Sequence, residues 1–132
     1  MKEKDLYSPV QRWIKSQLRR TCAIELKIVK GKSFNFKELK PHQVQNLLSA
    51  KNQTFTYKIP DVGFDQKPFD IVVLSHVPAF VAVVFYEERK KKNLYLMDID
   101  VFFRISGASI KPTLSELEFQ CFSSYSASLK GY

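Results

Sequence analysis

Apolar positions recur with two periods along this chain, and the alternation between them predicts its elements. Ser8-Pro9 has the form of an N-cap followed by proline at the first helical position. Val10, Trp13, Ile14 and Leu18 then follow at helical spacing, which predicts an amphipathic helix over 8–18 with Trp13 in the core. In residues 21–29 (TCAIELKIV) the period drops to two: Cys22, Ile24, Leu26 and Ile28 share one face of a strand, and Ala23, Glu25, Lys27 and Val29 the other. Gly31 marks a turn, after which 33–36 extends the strand or pairs back on it. Pro41 opens a second helix over 41–51, with Val44, Leu47 and Leu48 as its apolar stripe, Gln43 at the edge of that stripe, and His42, Gln45, Asn46 and Ser49 facing away.

The second half reads mainly as strands. Residues 53–59 (QTFTYKI) alternate, and 60–68, with two Pro, one Gly and two Asp, is a loop. Residues 69–75 (FDIVVLS) and 79–86 (AFVAVVFY) are expected to form a hairpin turning at 76–78, with His76 a turn residue. A charged turn follows at 87–92, then a strand at 93–97, then a short helix through Phe103 capped by Asp98 or Asp100. Thr113 and Glu116 suit a capping box for a last helix near 114–128. Interleaved strands and helices in 132 residues, without a repeat or linker, predict one α/β domain: a central mixed sheet flanked by helices.

Charge divides this domain unevenly. Residues 1–58 carry 13 Lys/Arg against 4 Asp/Glu, and 59–132 carry 8 against 9, so the net +8 belongs to the first half. A polyanion is the natural partner of such a surface, because cations gain by releasing counterions from phosphates. Cys22 and Cys121 sit in apolar runs and are expected to be buried free thiols, with neither a disulfide framework nor a zinc site. The polar first ten residues do not resemble a secretory leader, and no apolar run has membrane-spanning length, so a soluble, cytoplasmic protein without a membrane partner is expected.

The sharpest chemical feature is Glu25-Leu26-Lys27. Period-two geometry sets carboxylate and ammonium side by side on one strand face. Alone, such a pair is a solvated strand face of small energetic consequence. At a phosphate-cleaving site the carboxylate binds a hard cation, Mg²⁺ or Mn²⁺, and the lysine orients a water or stabilises phosphate charge. Mg²⁺ takes one or two carboxylates, so a second acid is needed. Asp70 interrupts the apolar run KPFDIVVL, where a charge is costly unless paired or metal-bound, and is the second acid expected; Asp61 and Asp65 suit turns, with Asp61 a lesser candidate ligand. Arg12, Lys15, Arg19, Arg20, Lys30 and Lys32 lie near the pair in sequence, and Lys58 and Lys67 flank the Asp70 loop. These cations, with outward-facing His42, are expected to meet DNA phosphates. Lys90-Lys91-Lys92 reads as a solvated hairpin tip, with a DNA contact the lesser reading.

The run IELKIVKGKSFNFKELKPHQVQNLL resembles the core of the PD-(D/E)XK nuclease superfamily, and within it the RecU-type Holliday-junction resolvases. There a strand with E-x-K leads through an S-F-x-x-x-x-L stretch into a helix with an H-Q pair. Glu25, Lys27, Ser33, Phe34, Leu39, His42 and Gln43 match, and the strands AFVAVVFY and NLYLMDID follow in family order, so the resemblance spans roughly 21–103. It implies a restriction-endonuclease-like core and Mg²⁺- or Mn²⁺-dependent cleavage of DNA, branched DNA included, by a homodimer. It also implies a ligand role for the Leu26 carbonyl and a supporting role for Gln43 toward Lys27 or a catalytic water. The family places its first metal-binding Asp on a strand before E-x-K. Here that stretch is helical and basic, so Asp70 is assigned the role. The first helix, which often supplies another acid in the family, offers Gln11 and Arg12. Two rivals stand beside this reading: a DNA-binding module on a nuclease fold that no longer cleaves, and a protein-interaction module whose basic charge is incidental.

Overall fold

The computed structural model describes residues 1–61 and 67–130, and the expected loop residue Asp65 lies outside them. The chain opens with a 3₁₀ turn, Glu3–Leu6, that runs into α1, Tyr7–Trp13. Its last turn, Ile14–Leu18, widens to a π-turn in which the Arg19 N–H reaches the Ile14 carbonyl at 2.7 Å. Arg19, at φ +53°, ends the helix in the left-handed region. Then come β1 (Ala23–Lys30), β2 (Ser33–Asn35), α2 (Pro41–Asn52), β3 (Thr54–Lys58) and β4 (Ile71–Ser75). The second half supplies β5 (Ala79–Glu87), β6 (Lys91–Asp98), α3 (Ile99–Ala108), β7 (Thr113–Ser115), α4 (Glu116–Phe122) and β8 (Tyr125–Ser128).

The central sheet has the order β1-β5-β6-β8; β1 runs parallel to β5 and the other pairs are antiparallel. The sheet is therefore mixed, with helices on both faces, as the pattern predicts. Its two faces follow the alternation read from β1. Leu26, Phe80, Ala82, Val84, Leu94 and Leu96 pack with Leu6, Val10 and Trp13 of the N-terminal helix. Val81, Val83, Phe85, Met97, Phe102 and Phe119 pack with Phe34, Leu39 and Leu47 on the other face. β5 lies between two strands under both layers, and only Glu87 at its end escapes burial. A strand covered on both faces needs a continuous apolar run, which AFVAVVFY provides.

Several expectations fail in the second half. The segments 69–75 and 79–86 do not form a hairpin. β4 instead pairs antiparallel with β3 (Phe55 opposite Leu74, Tyr57 opposite Val72) in a separate two-stranded ribbon, while β5 enters the central sheet beside β1. The reason lies in the turn: residues 76–78 carry the chain from ribbon to sheet, with the His76 and Val77 N–H groups bonded to Gln53 and Ala50 at the end of α2. The long C-terminal helix is likewise replaced by β7, α4 and β8. β7 pairs with β2, so 33–35 finds its partner eighty residues on rather than in β1. The α4 capping box is Ser115 with Glu118, two residues beyond the Thr113 and Glu116 expected. Of the two acids expected to cap α3, Asp98 does so, accepting a bond from the Asp100 N–H at 2.8 Å. Of the thiols, Cys22 is half-buried and Cys121, on the outer side of α4, is exposed, so the expectation of two buried thiols fails. No helix of the described residues is long and apolar enough to cross a membrane.

Candidate active site beside the edge strand

β1 is an edge strand, and its register with β5 sets Glu25 opposite Val81 and Lys27 opposite Val83, on the face that α2 covers. Gln43 is the third residue of α2. Its side-chain oxygen accepts the Lys40 N–H at 2.9 Å, which satisfies the backbone donor just ahead of the helix. That bond fixes which way the amide points, so the NH₂ end is left to donate to the Glu25 carboxylate, which it does. One residue thus closes the helix end and orients the acid. Lys51, at the other end of α2, donates to both carboxylate oxygens of Asp98 at 2.7 and 2.6 Å and lies 2.6 Å from Asp100, which ties the helix to the start of α3.

The Lys27 ammonium lies 3.9 Å from the same Glu25 oxygen that Gln43 engages, and the two side chains keep 15% and 28% of their exposure. Burial pushes the Glu25 carboxyl above its ordinary range. Lys27 pulls it down, Glu3 pushes it up and His42 pulls it down, with burial the largest of these. Glu3 belongs to the opening 3₁₀ turn and is half-buried. Its charge is felt at the Glu25 carboxyl, so the N-terminal segment brings an acid toward the pair. Sequence reading starts the helix at Ser8 and passes over Glu3; the available signal was Leu6, one turn before Val10, which extends the apolar stripe back toward it.

A cleft of about 480 Å³ opens beside this group. Glu25, His42, Gln43 and Asn46 line it, with Phe55 and Tyr57 of β3 and Leu74 of β4 as the facing wall. The ribbon therefore leans over α2. Asp70 follows it outward: its carbonyl accepts the Ile59 N–H one step beyond the Lys58–Ile71 pair, at the free end of the ribbon. The Asp70 carboxylate is 76% exposed and lies 2.9 Å from the Lys67 ammonium, and it is not part of the cleft lining. Lys67 also bonds Asp61, and Lys58 stands 4.0 Å from Asp61, so both flanking lysines face acids of their own loop.

The remaining residues expected at the site are spread out. Leu26 lies between the pair with its side chain turned into the other layer. Arg12, Lys15, Arg19 and Arg20 are exposed along and just beyond the N-terminal helix; Lys30, the last residue of β1, and Lys32 just past it are exposed, Lys30 3.7 Å from Glu88. His42 is exposed at the cleft mouth. Glu25, Lys27, Gln43 and His42 thus gather in one place, and Asp70 stands apart from them on the ribbon. Among the described residues, no three His, Cys, Asp or Glu side chains come together in one group. Comparison with protein-family models, with curated proteins and with solved structures finds no match to this chain.

Proposed function

We propose that this chain is a divalent-metal-dependent DNA endonuclease, with branched DNA as its substrate class and a homodimer as its working form. The observation that carries the reading is the Glu25 carboxylate held by Gln43 beside Lys27, at the edge of a parallel strand pair and open to a cleft. The resemblance of this segment to the PD-(D/E)XK nucleases supplies the reaction.

The residues fit a hard cation. A half-buried carboxylate whose proton affinity is raised, with a second carboxylate charge nearby, is stabilised by a cation. Glu25 would hold it, with Glu3 as the second acid in place of Asp70, which stands apart on the ribbon, and the Leu26 carbonyl as a third ligand. Mg²⁺ or Mn²⁺ bound there supplies charge neutralisation at the phosphate and a water of lowered pKa. Gln43 keeps the Glu25 carboxylate in one orientation, because its own oxygen is fixed by Lys40. Lys27 places a positive charge where the attacking water or a phosphate oxygen would lie. Tyr57 and Phe55 line one side of the cleft.

A second reading is DNA binding without cleavage, which the exposed cations along the N-terminal helix support without needing a second acid beside Glu25. Nicking of supercoiled plasmid and of a four-way junction in Mg²⁺ separates the two. Wild type is expected to nick, with Lys27→Ala slower by at least about 100-fold, as for loss of one preorganised charge. Equal residual activity in both proteins would remove the enzyme claim.

A further inference from the structure

The turn from β5 to β6 holds a run of cations that the Glu25 site does not use. A cleft of about 590 Å³ lies beneath it, bordered by Arg89, Lys92, Leu129, Lys130 and, from the N-terminal helix, Pro9. Most neighbouring charges in this region are already matched. Glu87 lies 3.9 Å from Lys90 and 3.8 Å from Lys91, and Lys91 also bonds Glu116, the carboxylate that accepts from Tyr95 and Asn93 at 2.7 and 3.1 Å. Arg89, Lys92 and Lys130 form no ion pair among the described residues. Leu129 fixes their spacing, since its N–H bonds the Lys92 carbonyl at 2.8 Å and so ties the C-terminal segment to the hairpin.

From this arrangement we infer that the hairpin cleft is a second nucleic-acid surface, which holds the phosphate backbone of a duplex segment away from the Glu25 centre. The inference rests on the reading of the protein as one that acts on DNA. The three unmatched cations come from three different positions of the hairpin and tail, and they border an open cleft rather than converging on a buried point. Such a layout suits a line of phosphates better than a single small anion. Its distance from the chemistry follows from the register. Val81 is level with Glu25, and six residues at about 3.3 Å each carry β5 to Glu87, so the surfaces are about 20 Å apart along the strand. Their facing also differs, because Pro9 belongs to the layer opposite α2. A straight duplex seated on Glu25 would leave the hairpin free for another segment.

The test is fluorescence anisotropy of a labelled duplex in EDTA, which removes cleavage from the readout. Wild type is compared with Arg89→Ala/Lys92→Ala/Lys130→Ala and with Lys90→Ala, whose ammonium already faces Glu87. Loss of three phosphate contacts makes the slope of log K against log salt shallower by about 2.7, so wild type loses about 40-fold more affinity than the triple variant between 50 and 200 mM salt. The Lys90 variant changes the slope by less than one contact. An unchanged slope in the triple variant, or displacement of the duplex by tripolyphosphate at far lower concentrations than ionic strength explains, overturns the inference. Lys27→Ala is expected to lose nicking in Mg²⁺ while its slope changes by no more than one contact, about 0.9. If the triple variant loses affinity and wild type never nicks, the hairpin surface stands and the nuclease reading falls.

Discussion

β4 and β5 are separated by three residues, and both are written as apolar runs, yet they have opposite fates. Every residue of β5 from Ala79 to Tyr86 is buried, whereas on β4 Ile71 and Val73, with Phe69 just before them, turn more than half of their surface to solvent. The cause is the neighbour each strand finds. β5 has β1 on one side, β6 on the other and a helical layer over each face. β4 has only β3, whose TFTYK alternates polar with aromatic, and the ribbon's inner side rests on α2. An apolar run therefore states what a strand can tolerate, while pairing decides what it buries. For function the contrast runs the other way. The sheet fixes Glu25 and Lys27, and the lightly packed ribbon supplies the facing wall of the cleft.

The largest break in this comparison is expected in the sheet. Phe85→Ala removes a fully buried ring that packs edge-on against Phe119 and Tyr95, with centroids 5.5 and 5.9 Å away, and should cost about 3–5 kcal/mol in urea unfolding. Val73→Thr on the ribbon should fall within about 0.5 kcal/mol of wild type. Similar costs at the two sites would show that the ribbon is as tightly built as the sheet.

A smaller effect tests the site where sheet and ribbon meet. Because burial raises the Glu25 carboxyl above its ordinary value, the folded state binds that proton more tightly than the unfolded chain. The associated stability is fully present below about pH 4.5, the ordinary glutamate value, and is lost as pH rises through the raised folded value. Glu25→Gln keeps an oxygen for Gln43 to donate to and removes the buried charge. It should raise the melting temperature at pH 7 by a few degrees, on the order of 1 kcal/mol, with the gain shrinking at pH 4. A variant less stable than wild type at both pH values would mean that Lys27 outweighs burial.

Much of this was legible in residue order, wherever a local period carried the information. The faces of β1, the span of α2, the Asp98 cap and the core position of Trp13 all follow from spacing. The helical period puts Gln43 at the edge of the buried stripe, and there it meets Glu25. Long-range pairing was not legible. No local signal says that Phe34 pairs with Leu114, or that FDIVVLS turns back to TFTYK rather than forward to AFVAVVFY. The C-terminal misreading has the same origin, since Tyr125–Ser128 is a strand only because β6 offers an edge. Asp70 shows the functional consequence: its place in an apolar run suggested a buried charge, but that run lies on an exposed ribbon, where Lys67 matches it.

The central claim is that Glu25 holds a divalent cation beside Lys27, and paramagnetic Mn²⁺ tests it without reference to turnover. In amide NMR spectra of the full chain, sub-stoichiometric Mn²⁺ should broaden residues 24–27 and 43 first, and Glu25→Gln should abolish that broadening. Broadening centred on Asp61 and Asp70 instead, or none that Glu25→Gln alters, would contradict the account.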